Sequence, residues 1–434
     1  MAPPASERTT SMFGTIALSS KALADYEPIV GEEALAELHS LARPLQGLRV
    51  LHLSVAAFGT AVADTLSSLV PLMTDLGLPS RWQVLRPAHE FIAVNKAMYD
   101  ALAGVGAGWN ADVEAVWHEY TAMNAELFAE EFDFVVVHDP QPVGILTTFT
   151  ERRGRRPSGR WVWHCHLDLS EAQPDVWRLM QRYCHAYDAL AFDLKEYVPH
   201  DVDAPIMTVI EPAIDPLGPK NMELAPETVT AMLEGYGLDP TRPIVCQISP
   251  FDRWHDPVGL IEAYASAAKQ VPGLQLALVA TYLAEDPEMR GYYEQVARRA
   301  EAHPDIFVLS SHSSLRGLGN VELNAFQRAA LTTAQRSIRK GFWVMVSDVL
   351  WKERPVVANP LGGIPRQVID GETGYLARTT EQFAQRIVEL YQQPDLAARL
   401  GRAGHQHVRA NFLITRYLRD YLRLFQRMVA PPAA

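Results

Sequence analysis

The sequence predicts a parallel α/β chain folded as two domains, and three observations carry that reading. Short apolar runs alternate with loops and with stretches of helical periodicity, the pattern of strand–loop–helix units. The core of one run, Phe134-Val-Val-Val137, is apolar throughout, which suits a sheet covered on both faces. The Pro-rich segment Glu211-Pro-Ala-Ile-Asp-Pro-Leu-Gly-Pro219 then breaks the alternation and separates two such series. A length of 434 residues leaves room for two or three domains with sizeable cores.

Taken in order, the first ten residues are expected to be loose, followed by a polar helix around Gly31–Leu41. Leu48–Ser54 is the first strand, Ala56–Thr60 its loop, and Leu66, Leu69, Val70 and Met73 mark a helix. Leu78–Val84 is the next strand and Glu90–Ala103 the next helix. Asp133–His138 is a buried strand running into Asp139-Pro-Gln-Pro142. Ligands of open α/β sheets collect beyond the carboxyl ends of strands, where His138, Asp139 and Gln141 fall. Asp139 as a cap of the following helix is the structural alternative. In Trp161–Ser170 a strand ends at His166, and Ser170 can cap a helix. Arg152–Arg160 is a basic surface turn, and Asp188–Phe192 and Ile206–Ile210 close the first sheet.

The second series begins with the strand Pro243–Ser249 and a helix through Leu260, Ala263 and Tyr264. Leu274–Ala280, Ile306–Leu309 and Pro355–Ala358 are further strands. Gly341 reads as a turn, and Phe342, Met345 and Val349 at helical spacing predict a helix starting close to it. Leu361–Pro365 is a second glycine loop, opening a helix at Arg366. Two helix N-termini placed this way would be ready anion sites. A final helix over about Phe412–Val429 carries Tyr417, Tyr421, Leu424 and Met428 on one face.

Composition narrows the function classes. Hydrophobic content of 48% and charged content of 21% are those of a globular protein, and the net charge of −12 argues against a general nucleic-acid binder. No apolar run of about 18 residues predicts a membrane span, and the opening residues lack the pattern of a signal peptide. The three cysteines, Cys165, Cys184 and Cys246, fit a reducing, cytoplasmic setting as small buried residues. No metal site is expected at His164-Cys-His166, because consecutive strand residues point to opposite faces and no second cluster completes a site.

Four stretches go further: Gln335-Arg-Ser-Ile-Arg-Lys-Gly-Phe-Trp343, Ser347-Asp-Val-Leu-Trp-Lys352, Gly362-Gly-Ile-Pro365 and Asp370-Gly-Glu-Thr-Gly374. They resemble the donor-site motifs of retaining GT-B glycosyltransferases of family 4, most closely the trehalose synthases. Cys165–Ser170, Pro212–Pro216 and Gly317–Arg328 extend the resemblance, which runs from about Leu51 to Phe425. It implies two Rossmann-like, doubly wound domains facing a cleft. Residues 1–213 would form the acceptor-side domain, with the helix 412–434 packing back on it, and 214–411 the nucleotide-sugar domain. It implies metal-independent transfer from a nucleoside-diphosphate sugar, with no further cofactor, no membrane insertion and small-molecule partners; a homodimer is left open. The catalytic candidates are His166, which matches the family's cleft histidine, Lys340, which stands where the family has a carboxylate, and Asp139 at its strand end. Donor binding falls to Gly59, Arg253, His255, Arg336, Gly341, Phe342, Asp348, Gly362 and Gly363, and acceptor binding to Phe58, Thr60, His138 and Gln141.

The departures are concentrated where the donor would bind. Pro250 and His255 stand where the family has the Arg and Lys of its diphosphate loop, and Arg253 takes the place of a Pro. The family's Glu-x7-Glu pair is Lys340 and Asp348, and Trp343 replaces a small Gly. Lys340 could not act as the carboxylate that stabilises positive charge at the anomeric carbon, but it could pair with phosphate. Two alternatives follow from these changes. One is a specialised S- or O-glycosyltransferase of natural-product biosynthesis with a thiol acceptor, since a thiolate needs less help from a base. The other is a non-catalytic homologue that keeps a nucleotide-sugar pocket.

Overall fold

The structure is a computed structural model describing residues 14–85, 89–106, 108–127, 130–280, 287–310 and 318–430. The chain divides into two compact units, Met1–Glu211 with Tyr417–Ala434, and Pro212–Arg416.

The first unit is built on seven strands: β1 (Gly14–Thr15), β2 (Val50–Ser54), β3 (Ser80–Val84), β4 (Phe134–His138), β5 (Arg160–Cys165), β6 (Ala189–Phe192) and β7 (Ile206–Val209). Their order across the sheet is β1-β3-β2-β4-β5-β6-β7. The pairs from β3 to β7 are parallel, and the short β1 runs antiparallel at the edge. Strand order reverses between β2 and β4, the switch point where open α/β sheets place ligands. Leu51, Leu53, Val135, Val137, Trp161 and Trp163 share one buried core with the flanking helices. The final helix, Ile414–Val429, returns to this unit from Tyr417 onward, stacking Phe425 on Phe134 at 4.2 Å between ring centroids.

Asp139 does not cap a helix. It sits in the left-handed region at φ 69, and the next helix, Ile145–Arg153, starts six residues on behind Gly144. The backbone is held there at both ends: the Asp139 N–H donates to His164 O (2.9 Å), and Trp163 Nε1 donates to the Asp139 carbonyl (2.7 Å). Ser170 is not the N-cap of the helix Pro174–Cys184, which starts behind Gln173 at a proline whose fixed φ already suits the first helical position. Ser170 instead gives its N–H to Asp168.

The second unit holds a parallel six-stranded sheet ordered β10-β9-β8-β11-β12-β13. Its strands are β8 (Ile244–Ile248), β9 (Gln275–Ala280), β10 (Ile306–Ser310), β11 (Thr332–Gln335), β12 (Val356–Ala358) and β13 (Gly374–Leu376). The order reverses between β8 and β11. The helix expected beside Gly341 starts later, at Met345, and ends at Trp351. Trp343 is the reason: its φ of 50 is left-handed and cannot lie in a right-handed helix. The glycine loop after β12 opens the four-residue helix Ile364–Gln367, two residues before the expected Arg366. With seven and four residues, neither helix is long enough to sustain the dipole argument for an anion site.

All three cysteines are buried, Cys165 and Cys184 in the first unit and Cys246 in the second. The helix Pro394–Asn411 packs on Met345–Trp351 through Gly404 against Leu350 and on the turn that follows through Gly401, where an added Cβ would lie 1.9 Å from Glu353 O. Gly401→Ala should therefore destabilise the second unit by about 1–3 kcal/mol. An unchanged urea midpoint would show that the helix and the turn can part without cost.

Candidate functional site

The second unit gathers its candidate residues on three loops, which leave the carboxyl ends of β8, β11 and β12. Backbone bonds staple these loops to one another. Ile338 N–H donates to Trp254 O (2.7 Å), joining the β11 loop to the β8 loop, and Gly363 N–H donates to Gly341 O (2.9 Å), joining the β12 loop to the β11 loop. A Cβ on Gly363 would meet the Phe342 ring at 2.5 Å, and one on Gly341 would meet the Trp343 indole at 2.7 Å. Both glycines are thus required by close approach. Gly362 beside them turns the loop at φ 55. The Gln367 side chain finishes the staple, accepting from Ser347 N and Oγ and donating to Phe342 O.

Within this frame Arg336 and His255 are oriented by carboxylates. Arg336 Nε donates to Asp256 Oδ2 (2.6 Å), and its guanidinium lies over the Phe383 ring. His255 Nδ1 is 2.8 Å from Asp252 Oδ1, and the edge of its ring meets Trp343 at 4.5 Å between centroids. Asp256, at φ 40, caps the helix Pro257–Ala267 by accepting from Gly259 N–H. Three buried polar atoms on these side chains have no partner among the described residues: Arg336 Nη1, His255 Nε2 and Trp343 Nε1. A buried donor left unmade costs about 1–3 kcal/mol, so the Arg336 and Trp343 N–H groups on the β11 loop, with the His255 ring against Trp343, mark a place for an acceptor that carries negative charge.

Lys340 lies exposed on the same β11 loop. Arg253 is placed by its backbone in the turn Arg253–His255, and its side chain lies outside the described residues. Asp348 is buried, and its Oδ1 accepts from Asn221 Nδ2 (2.7 Å). Lys352 Nζ closes the group, donating to Asn221 Oδ1 (2.6 Å) and to Asp348 O (2.8 Å). Burial pulls the Lys352 pKa down to about 7 against the opposing pull of Asp348.

The first unit gathers its candidates differently. The loop after β2 exposes Phe58, which is 80% accessible, and turns at Gly59 with φ 77. Thr60 caps the helix Ala61–Asp75 by accepting from Ala63 N–H. Gln141 is buried beside Tyr120, Thr121 and Asn124, and its Oε1 has no partner among the described residues.

His138 and His166 belong to a buried line of polar groups crossing four neighbouring strands. His52 Nδ1 is 3.0 Å from His138 Nε2, and His138 Nδ1 is 3.0 Å from His166 Nε2. His166 Nδ1 is 2.8 Å from Asp193 Oδ1, while His164 Nδ1 meets Tyr421 Oη at 2.6 Å. Ring nitrogens of His138, His164 and His166 all lie within 4.8 Å of one another. That corrects the sequence argument against a cluster here: residues 164 and 166 are two apart and share a face, and β4 supplies the third imidazole.

Burial sets most of the charges in this line. It lowers His52 to about 3, with His164 adding to the effect, and lowers His164 to about 4, with His166 adding. It also lowers His138 well below the usual range. His166 goes the other way: burial opposes its charge, but Asp193 and Asp139 outweigh burial and raise it. Burial likewise raises Asp139, whereas Asp193 is lowered because the His166 and His164 contacts overcome its burial.

Sequence reasoning missed Asp193, Asn221, His52, Tyr421 and the indole N–H of Trp343. Asp193 follows the carboxyl end of β6 and obeys the rule that singled out His138. The others carry no local signal.

Two family models match the chain: the trehalose synthase N-terminal domain over residues 52–199 and glycosyl transferases group 1 over residues 230–407. The trehalose synthase of Rubrobacter xylanophilus is 41% identical over 412 residues, covering 94% of this chain and 97% of that protein. That of Thermococcus litoralis is 35% identical, covering 93% and 96%. Among solved structures, Anabaena HepE in complex with UDP and glucose superposes with a TM-score of 0.64 at 13% identity, covering 88% of this chain and 100% of that one. Sucrose-phosphate synthase from Thermosynechococcus elongatus gives 0.66 at 15%, covering 88% and 98%. The fold is GT-B.

The buried histidines make a stability prediction. His52, His138 and His164 have folded pKa values below the unfolded value, so their contribution is full above about pH 6.5 and is lost as pH falls. Between pH 6.5 and about 5, above the ordinary carboxylate range, unfolding free energy should drop by up to about 1.4 kcal/mol per pH unit for each. His52→Gln should remove a third of that slope. Urea titrations at several pH values measure it, and a flat profile would contradict the neutral assignment.

Proposed function

Because this chain belongs to the trehalose synthase family of glycosyltransferases, we propose that it moves a glucosyl unit from a nucleoside diphosphate to a glucose-like acceptor, with retention at the anomeric carbon and without a metal. The observation that carries this reading is the set of unpartnered buried atoms Arg336 Nη1, His255 Nε2 and Trp343 Nε1. A diphosphate supplies what they lack. Arg336 gives a charge-assisted bond and the indole gives a neutral N–H, with His255 Nε2 on the neighbouring β8 loop. In departure, the diphosphate gains negative charge, and donors already fixed by Asp256 and Asp252 stabilise it without reorganising.

On this reading the departures from the family pattern compensate one another. Pro250 removes a cation, and Lys340 on the β11 loop restores one of the same sign. Trp343 keeps the left-handed backbone that a glycine would adopt without strain, at a cost of about 1–3 kcal/mol, and adds the N–H. Asp348, with Oδ1 held by Asn221, serves the ribose hydroxyls. The two trehalose synthases reported above, alike over nearly the whole chain, support the glucose-like acceptor and not the thiol-acceptor alternative.

Incubation with UDP-, ADP- and GDP-glucose plus glucose, followed by analysis for a non-reducing disaccharide, tests the reaction. No product from any donor, together with intact nucleotide binding by calorimetry, would favour the non-catalytic reading. Arg336→Ala should raise the Kd for nucleoside diphosphates about ten- to hundredfold. Lys340→Glu should lower kcat, since it replaces a cation near departing negative charge by an anion; a rate gain would reverse the role assigned to Lys340.

A further inference from the structure

The line His52, His138, His166, Asp193 runs across β2, β4, β5 and the end of β6, strands adjacent in the sheet. Cα register explains how. His52 pairs with Val136, so His138 lies one same-face step beyond it, and His138 pairs with His164, so His166 lies one further step on. Each imidazole thereby reaches the next diagonally. The ring geometry decides what the contacts are. His52 and His138, like His138 and His166, have nitrogens 3.0 Å apart and centroids 5.3 Å apart. The His138 and His166 rings are inclined by only 7°. That is the span of two nearly coplanar imidazoles joined in line by one N–H···N bond. Within each of these two pairs the nitrogens lie at hydrogen-bond distance from each other.

We propose that His138 and His52 are positioning residues that, with Asp193, hold His166 protonated on both ring nitrogens.

Hydrogen-bond bookkeeping gives the direction. Asp193 Oδ1 accepts the hydrogen bond from His166 Nδ1–H. If His166 is cationic, its Nε2–H donates to His138 Nδ1, His138 Nε2–H donates to His52 Nδ1, and His52 Nε2–H donates to Met73 Sδ at 3.5 Å. Every ring nitrogen along the line from His166 to His52 is then satisfied. If His166 is neutral, every bond beyond it reverses. His52 Nε2 becomes a bare acceptor facing a thioether that has no proton to give. One arrangement leaves no buried group unmade and the other leaves one.

The charged groups around His166 agree with this. Asp193 and Asp139 both favour its cation, while His164, beside it on β5, is held neutral and is fixed by Tyr421 from the final helix. The side chain of His166 is 14% exposed, against none for His164. It therefore presents a fixed positive charge at the carboxyl end of the sheet, suited to an oxygen-rich or anionic ligand. The assignment is independent of whether the chain transfers sugar.

Imidazole NMR of the full chain with 15N-labelled histidine, from about pH 5 to 9, reads tautomer and charge ring by ring. The expected result near neutrality is His166 protonated on both nitrogens, with His138 and His52 as neutral Nε2–H tautomers. His52→Leu removes the acceptor for His138 Nε2–H and should lower the titration of His166 by about one pH unit. His52→Gln retains an acceptor oxygen and should leave it in place. If His52→Leu does not fold, Met73→Leu removes the last acceptor and should shift His166 in the same direction. A His138 Nδ1–H tautomer in the wild type, identical His166 titrations in all variants, or one metal ion per chain bound to these rings would overturn the proposal.

Discussion

The candidate-site loops of the second unit depend on one backbone bond, Gly363 N–H to Gly341 O. It can form only because neither residue carries a side chain, since the Phe342 and Trp343 rings occupy the space a Cβ would need. Once it forms, the β12 loop is fixed to the β11 loop, and Gln367 can reach Phe342 O and Ser347. The position of Arg336, the left-handed turn at Trp343 and the late start of the helix Met345–Trp351 all lie within this closed frame. Substituting either glycine would open the loops without touching a ligand.

Much of the fold was legible in the sequence because parallel strands buried on both faces are written as apolar runs. Phe134–His138 and Ile244–Ile248 lie within two residues of where those runs place them. What failed was local geometry set from afar. Phe342, Met345 and Val349 do have helical spacing, but the φ of Trp343 overrides periodicity. Ser170 has capping chemistry, but Pro174 sets where the helix begins. The helix Ala111–Leu127 was not singled out, because its apolar residues are interleaved with Ala, Thr and acidic positions.

The site was less legible than the fold. Strand ends identified His138, Asp139 and Gln141, and the motif resemblance identified Arg336 and His255. Neither could identify His52, which sits in mid-strand rather than at a strand end, or Asn221, whose bonds to Asp348 and Lys352 close loops of more than a hundred residues. The histidine line is a property of register, and register between β2, β4 and β5 is not written in any one of them. The case of His164 and His166 shows the converse error: the spacing was there to be read, but a rule for adjacent residues was applied to residues two apart.

The placement of the cysteines gives the molecule a built-in reporter. Cys165, Cys184 and Cys246 are buried with thiol pKa values pushed up by that burial, so none is a good nucleophile while its surroundings stay closed. Modification by a thiol reagent must then wait for the structure around each to open. Two of the thiols belong to one unit and the third to the other. The rate at which each is labelled under native conditions therefore clocks the opening of its own unit, and the two sheets can be ranked in local stability without introducing a probe.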